Sequence, residues 1–175
     1  MYADYSNGLT NLACSVLKYF GAAYTHDTLK LMDNLLQYPY NNVVVLLFDG
    51  MGVDTLRYHL PQDSFLRRHL LAEYSSVFPP TTTAATTSLE SGLTPVEHGW
   101  LGWSLYFSEI DKIVNIFPNT EKDTWEKAAD FNVAQRYLPY KSIFEKKMKP
   151  DMQKHTACQD SAPIKSVRRM NYIRR

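Results

Sequence analysis

Six consecutive apolar residues, Val43-Val44-Val45-Leu46-Leu47-Phe48, run directly into Asp49-Gly50-Met51-Gly52. The run is shorter than an ordinary helix, rich in β-branched residues and without alternation. It therefore predicts a strand buried on both faces. Such strands belong to sheets covered by helices on both sides, so the expected class is α/β. A carboxylate at the carboxyl end of a buried strand stands where open α/β sheets place their ligands. Gly50 and Gly52 let the backbone turn tightly there and approach a ligand. An Asp-Gly turn that merely ends the strand satisfies the same residues.

The rest of the chain bounds this reading. At 175 residues, 45% apolar and 21% charged, it suits one soluble domain with a sizeable core. No apolar run reaches the length of a membrane span. Met1-Tyr2-Ala3-Asp4-Tyr5 has neither a basic start nor an apolar stretch behind it, so a cytoplasmic location is expected. Cys14 and Cys158 are too far apart in sequence to suggest a disulfide framework, and they read as a buried thiol and a loop thiol. Charge is uneven. Residues 1–140 hold 9 Lys/Arg against 15 Asp/Glu, whereas residues 141–175 hold 10 against 3. The body thus has no nucleic-acid footprint, and the basic segment 141–175 reads first as a solvated face.

Leu9, Leu12, Ala13, Val16, Leu17 and Phe20 fall on one helical face, with Ser6 or Asn7 as a cap and Gly21 as a stop. Residues 26–37 predict a second amphipathic helix. Helices are also expected over 53–60, 62–71 and 121–130, and strands over 73–78, around 100–107 and over 113–117. Tyr137 to Phe144 resemble the start of a further strand and helix. No linker divides these elements, so residues 1–175 are read as one domain.

Thr81-Thr82-Thr83 follow Pro79-Pro80 and open Ala84-Ala85-Thr86-Thr87-Ser88-Leu89-Glu90-Ser91, a helix stopped by Gly92. The first N–H groups of a helix have no internal partners and favour negative charge. A threonine there could attack a phosphoryl group held by those N–H groups. Any of the three could equally serve as the cap.

Together with the strand ending in Asp49-Gly50, residues 77–99 resemble the type I phosphodiesterase/nucleotide pyrophosphatase branch of the alkaline phosphatase superfamily. The family's Pro-x-x-Thr is followed by Gly-Leu-x-Pro-x-x-His-Gly, matched here by Gly92-Leu93-Thr94-Pro95-Val96-Glu97-His98-Gly99. The resemblance implies an alkaline phosphatase-like central, largely parallel sheet flanked by helices. It implies a phosphoester hydrolase acting on small molecules, with zinc bound by Asp49 and a threonine that is both nucleophile and metal ligand. Counting from Pro79 and back from Gly92 assigns that role to Thr82, with Thr81 and Thr83 as runners-up. Thr83, at the helix opening, is expected to bind substrate. The family often has Asn three residues after the nucleophile; here Ala85 stands there, which weakens the case for a nucleotide substrate. His98 carries no metal role in the resemblance and reads as support beside the site.

The family takes its remaining metal ligands from a Pro-Asp-x-x-x-His element, an Asp-His pair and a last His. Pro150-Asp151-Met152-Gln153-Lys154-His155 fits the first, with Lys154 where the family often has Gly, so Asp151 and His155 are candidate ligands. No Asp-His pair exists in the sequence, and no His follows His155. The chain therefore resembles a truncated member, holding one zinc ion or none firmly where the family uses two. The expected function is a zinc-dependent hydrolase. The alternatives are an inactive fragment that binds metal or phosphate without turnover, and an interaction module working through the basic segment.

Overall fold

The computed structural model describes residues 3–40 and 42–146. The molecule is built around helix α1, Leu9–Tyr19. Every residue from Leu9 to Leu17 is buried, so the helix is enclosed on all sides rather than on the one expected face. Its polar side chains are used up internally. Asn11 accepts the Gly8 N–H and donates to the Asp27 carbonyl, at 2.9 and 2.8 Å. Ser15 exchanges hydrogen bonds with the Leu29 backbone. Gly8, rather than Ser6 or Asn7, occupies the cap position. Cys14 is buried as expected.

Four short helices lie on either side of the apolar run or against α1: α2 over Lys30–Leu35, α3 over Val53–His59, α4 over Phe65–Arg68, and then the site helix α5 over Thr82–Ser91. Helix α5 packs along α1. The packing is closest at Gly92, whose φ of +70° is left-handed and where an added Cβ would stand 2.7 Å from Leu17 Cδ1. Glycine is therefore required twice over, by backbone conformation and by space. Leu9, Leu12, Leu29, Val77 and Ala84 form the core between these helices.

A one-turn helix, α6 (Pro95–His98), leads into a three-stranded antiparallel sheet. Strand β1 (Ser104–Phe107) pairs with β2 (Lys112–Asn115), and β2 with β3 (Thr120–Glu121). Trp100, Phe107, Val114 and Ile116 from this unit close a second core with Val133 and Ala134 of α7, Val133–Tyr137. The Trp100 indole N–H donates to the Leu138 carbonyl at 2.9 Å, which ties the unit together.

Several expectations need correction. Residues 43–48 form no strand, and Val44 and Leu46 are 75% and 73% exposed. A parallel strand needs hydrogen-bonding neighbours and helices on both faces, and the described residues supply neither. No largely parallel sheet is therefore present among them; the parallel pairing they hold is a single bridge, Gly8 to Ser75, in place of the strand expected over 73–78. The helices expected over 26–37 and 62–71 shrink to α2 and α4. Residues 121–130 turn rather than coil, with Trp125 at φ +60°. The expected strand and helix from Tyr137 to Phe144 are absent: α7 ends at Tyr137, and residues 138–144 are neither strand nor helix. Trp103 and Tyr106 lie exposed, so only Trp100 and Phe107 of the expected aromatic core are buried.

The buried His98 braces α5. The Trp100 backbone N–H donates to Nδ1 at 3.0 Å, so the ring proton sits on Nε2, which lies 3.0 Å from Ser88 Oγ. Burial pushes the imidazole down to about 4, against the opposing pull of the Ala84 carbonyl and the Glu97 charge.

Two predictions follow from this arrangement. Ile116→Ala should cost about 2–5 kcal/mol, while Leu46→Thr should stay within about 0.5 kcal/mol, both read by urea unfolding. Equal losses would restore residues 43–48 to the core. The second concerns pH. Because the folded His98 titrates below its ordinary 6.5, the unfolded chain binds more protons between those values, and stability falls as pH falls. His98 should remove about 3 kcal/mol between pH 7.5 and 4. The same loss in His98→Gln, measured alongside, would contradict this.

Candidate active site

The site forms where α5 begins. Thr81, in extended conformation, caps the helix by accepting the Ala84 N–H on its side-chain oxygen at 3.2 Å. Its carbonyl accepts the Ala85 N–H at 3.0 Å. The N–H groups of Thr82 and Thr83 come before the first intrahelical bond and take no partner among the described residues. Of the three threonines, capping therefore falls to Thr81, and Thr82 is left with a free role.

The Thr82 hydroxyl meets Asp49. Oγ1 lies 3.2 and 3.1 Å from the two carboxylate oxygens, across 33 residues of sequence. Asp49 is exposed and Thr82 half-buried, so the pair faces solvent and is open to a ligand. Gly50, at φ +64°, turns the chain just after the carboxylate with open space around it. Two residues singled out separately in the sequence are thus brought together as a carboxylate and a hydroxyl at a helix N-terminus.

Thr83 behaves differently. Its side chain is fully buried and its Oγ1 has no hydrogen-bond partner among the described residues. The whole residue is 0% exposed, so its backbone N–H is covered as well. Ala85 packs against the core shared by α1 and α5, so the position three residues after Thr82 offers no polar side chain. Thr86 folds its hydroxyl back onto the Thr82 carbonyl at 2.8 Å.

The end of α5 is fixed by contacts that the sequence did not signal. The Tyr140 hydroxyl donates to the Glu90 carboxylate at 2.8 Å, and Lys146 Nζ donates to the Ser91 carbonyl at 2.7 Å. Burial, and then the Glu90 charge, raise the Tyr140 phenol well above its ordinary value, so it stays a donor. These partners lie 50 and 55 residues apart, and no local pattern links them. Nor could spacing reveal the Ser88–His98 brace.

Asp151 and His155 lie outside the described residues. Among those described, no group of three or more His, Cys, Asp or Glu is placed to hold a metal ion. Asp49 and Thr82 offer oxygen donors of the kind zinc accepts, but fewer than the three protein ligands of a usual catalytic site. They fit one side of such a site. A separate cleft of about 760 Å³, lined by Asp27, Lys30, Asp33, Glu73 and neighbours, includes neither residue. No helix among the described residues is long and apolar enough to cross a membrane.

Searches of the curated proteins and of the solved structures found no match. A family model does match. Residues 43–158 fit type I phosphodiesterase / nucleotide pyrophosphatase, a span that takes in Asp49, Thr82, His98 and the candidate ligands Asp151 and His155. This chain belongs to the type I phosphodiesterase/nucleotide pyrophosphatase family.

Proposed function

We propose that the chain is a zinc-dependent phosphoester hydrolase in which Thr82 is the nucleophile. Family membership implies phosphodiesterase or pyrophosphatase activity on small phosphoesters. The observation that carries the finer reading is the contact between Thr82 Oγ1 and the Asp49 carboxylate at the opening of α5.

Each residue has a part. The N–H of the half-buried Thr82 would hold a phosphoryl oxygen, where the helix dipole also favours negative charge, and Thr83 would join it only if the helix start opens on binding. Thr82 Oγ would then attack phosphorus. The Thr82 hydroxyl proton passes to solvent as one Oγ–P bond forms. One ester P–O bond breaks and the first alcohol departs, protonated by water. Thr82 is left joined to a phosphoryl group that still carries the second ester, and water then releases it as the monoester. Asp49 holds the Thr82 hydroxyl in place before attack. Asp49 and Thr82 would also hold zinc, with Asp151 and His155 as the proposed further ligands. A bound zinc ion would supply Lewis-acid polarisation, needed because a threonine hydroxyl is a weak nucleophile at neutral pH. Ala85 leaves that side of the site apolar, which favours a simple diester over a nucleotide.

The fold proposed for the family context is alkaline phosphatase-like. The exposure of Val44 to Phe48 supports it, since an apolar run with both faces in solvent has the composition of a central strand without its neighbours. A second reading is a protein that binds metal or phosphate without turnover. It is favoured by the small donor set among the described residues and by the missing Asp-His pair.

The test is hydrolysis of bis(p-nitrophenyl) phosphate with zinc present. Thr82→Ala should lower turnover by at least about a thousandfold and abolish an acid-trapped p-nitrophenylphospho-threonine adduct seen in the parent by mass spectrometry. Thr82→Ser should keep both in reduced amount. Turnover in Thr82→Ala equal to the parent's would reject Thr82. A parent that binds zinc but hydrolyses nothing would favour the second reading.

A further inference from the structure

We propose that His98 is a positioning residue for the Thr82 hydroxyl, setting the rotation of α5 through Ser88. This rests on the hydrolase reading for its catalytic consequence, though its structural half stands apart from it. His98 is 2% exposed and touches neither Asp49 nor Thr82 by hydrogen bond. It reaches α5 from the last position of α6.

The geometry is directional. The Trp100 amide can only donate, so Nδ1 must accept, and the single ring proton points from Nε2 toward Ser88 Oγ. Ala84, one turn before Ser88, also presents its carbonyl to the ring. His98 therefore grips the Ala84–Ser88 face of the helix, which is buried. Thr82 and Thr86 lie off that face and remain half-buried. At 3.6 residues per turn, Thr82 and Ser88 are separated by roughly 120° around the axis. A rotation of α5 by about 20° would carry an oxygen some 4 Å from the axis through more than about 1 Å. Displacements of that size at a nucleophile can cost on the order of a hundredfold in rate.

The charge that acts on the ring is that of Glu97, on the same short helix. Glu97 is already engaged: it accepts the Thr94 N–H and hydroxyl at 2.7 and 2.6 Å and meets His26 Nε2 at 2.6 Å. It anchors α6 to the loop before α2, and so fixes the platform from which His98 reaches.

Three variants of the full chain separate positioning from general support. Gln can return a donor to the Nε2 position, so His98→Gln should keep the Ser88 contact. Asn offers an acceptor to Trp100 but falls short of Ser88, so His98→Asn should lose it. Ser88→Ala removes the acceptor with little change in volume. The first readout is the backbone amide resonances of Thr82 and Thr83 by NMR. They should shift in His98→Asn and Ser88→Ala and return toward the parent's in His98→Gln. The second is diester hydrolysis with zinc. There kcat should fall about tenfold or more in the first two variants at unchanged KM, with recovery in His98→Gln. Unmoved Thr82 and Thr83 amides in folded Ser88→Ala, or a His98→Gln variant indistinguishable from His98→Asn, would overturn the proposal. A parent without turnover would count against the hydrolase reading alone, and the amide shifts would then decide the role of His98.

Discussion

Helix α5 can present Thr82 only because α1 holds it, and the contact between the two helices is what the remaining structure is fitted to. Gly92 brings the end of α5 against Leu17 and Cys14, closer than any side chain would allow. Thr83, Ala84, Thr87 and Ser88 are small and buried, Ala84 against Leu9 and Leu12 of α1 and Ser88 against His98. Small residues permit close approach of two backbones, so the helix trades side-chain bulk for a fixed position. His98, Tyr140 and Lys146 then secure its flank and its end. The half-exposed Thr82 is thus mounted on a helix whose other surfaces are already committed.

Burial in α1 leaves little freedom in how its polar residues are used. Asn11 and Ser15 would each be costly inside a core without partners. Both are satisfied by backbone around Asp27 and Leu29, which pins the loop leading to α2. That loop in turn carries His26, which meets Glu97 on α6. A chain of hydrogen bonds therefore runs from the central helix to the platform of the His98 brace.

Part of this region was legible in the sequence because its signals are local. Threonines after two prolines open a helix and Gly92 stops it, as those signals indicate; Asp49 meets Thr82 but does not stand at the end of a buried strand. The helix over 9–19 and the strands around 100–107 and 113–117 were legible for the same reason. The run 43–48 shows the limit. Its composition specifies a strand, but a strand exists only through its neighbours, and the described residues provide none. Residues 121–130 failed differently: their helix-forming composition is overridden by a turn in which Trp125 adopts a left-handed conformation. The Ser88–His98 and Glu90–Tyr140 pairs were invisible because nothing local records a partner that only the tertiary fold supplies.

The account stands on Asp49 and Thr82 forming one side of a metal-bearing phosphoester site. The most direct test is the zinc content of the purified full chain after exhaustive dialysis, measured beside an Asp49→Ala variant. The account predicts zinc retained by the parent and lost from the variant. A parent that retains none, or a variant that retains as much as the parent, would contradict it.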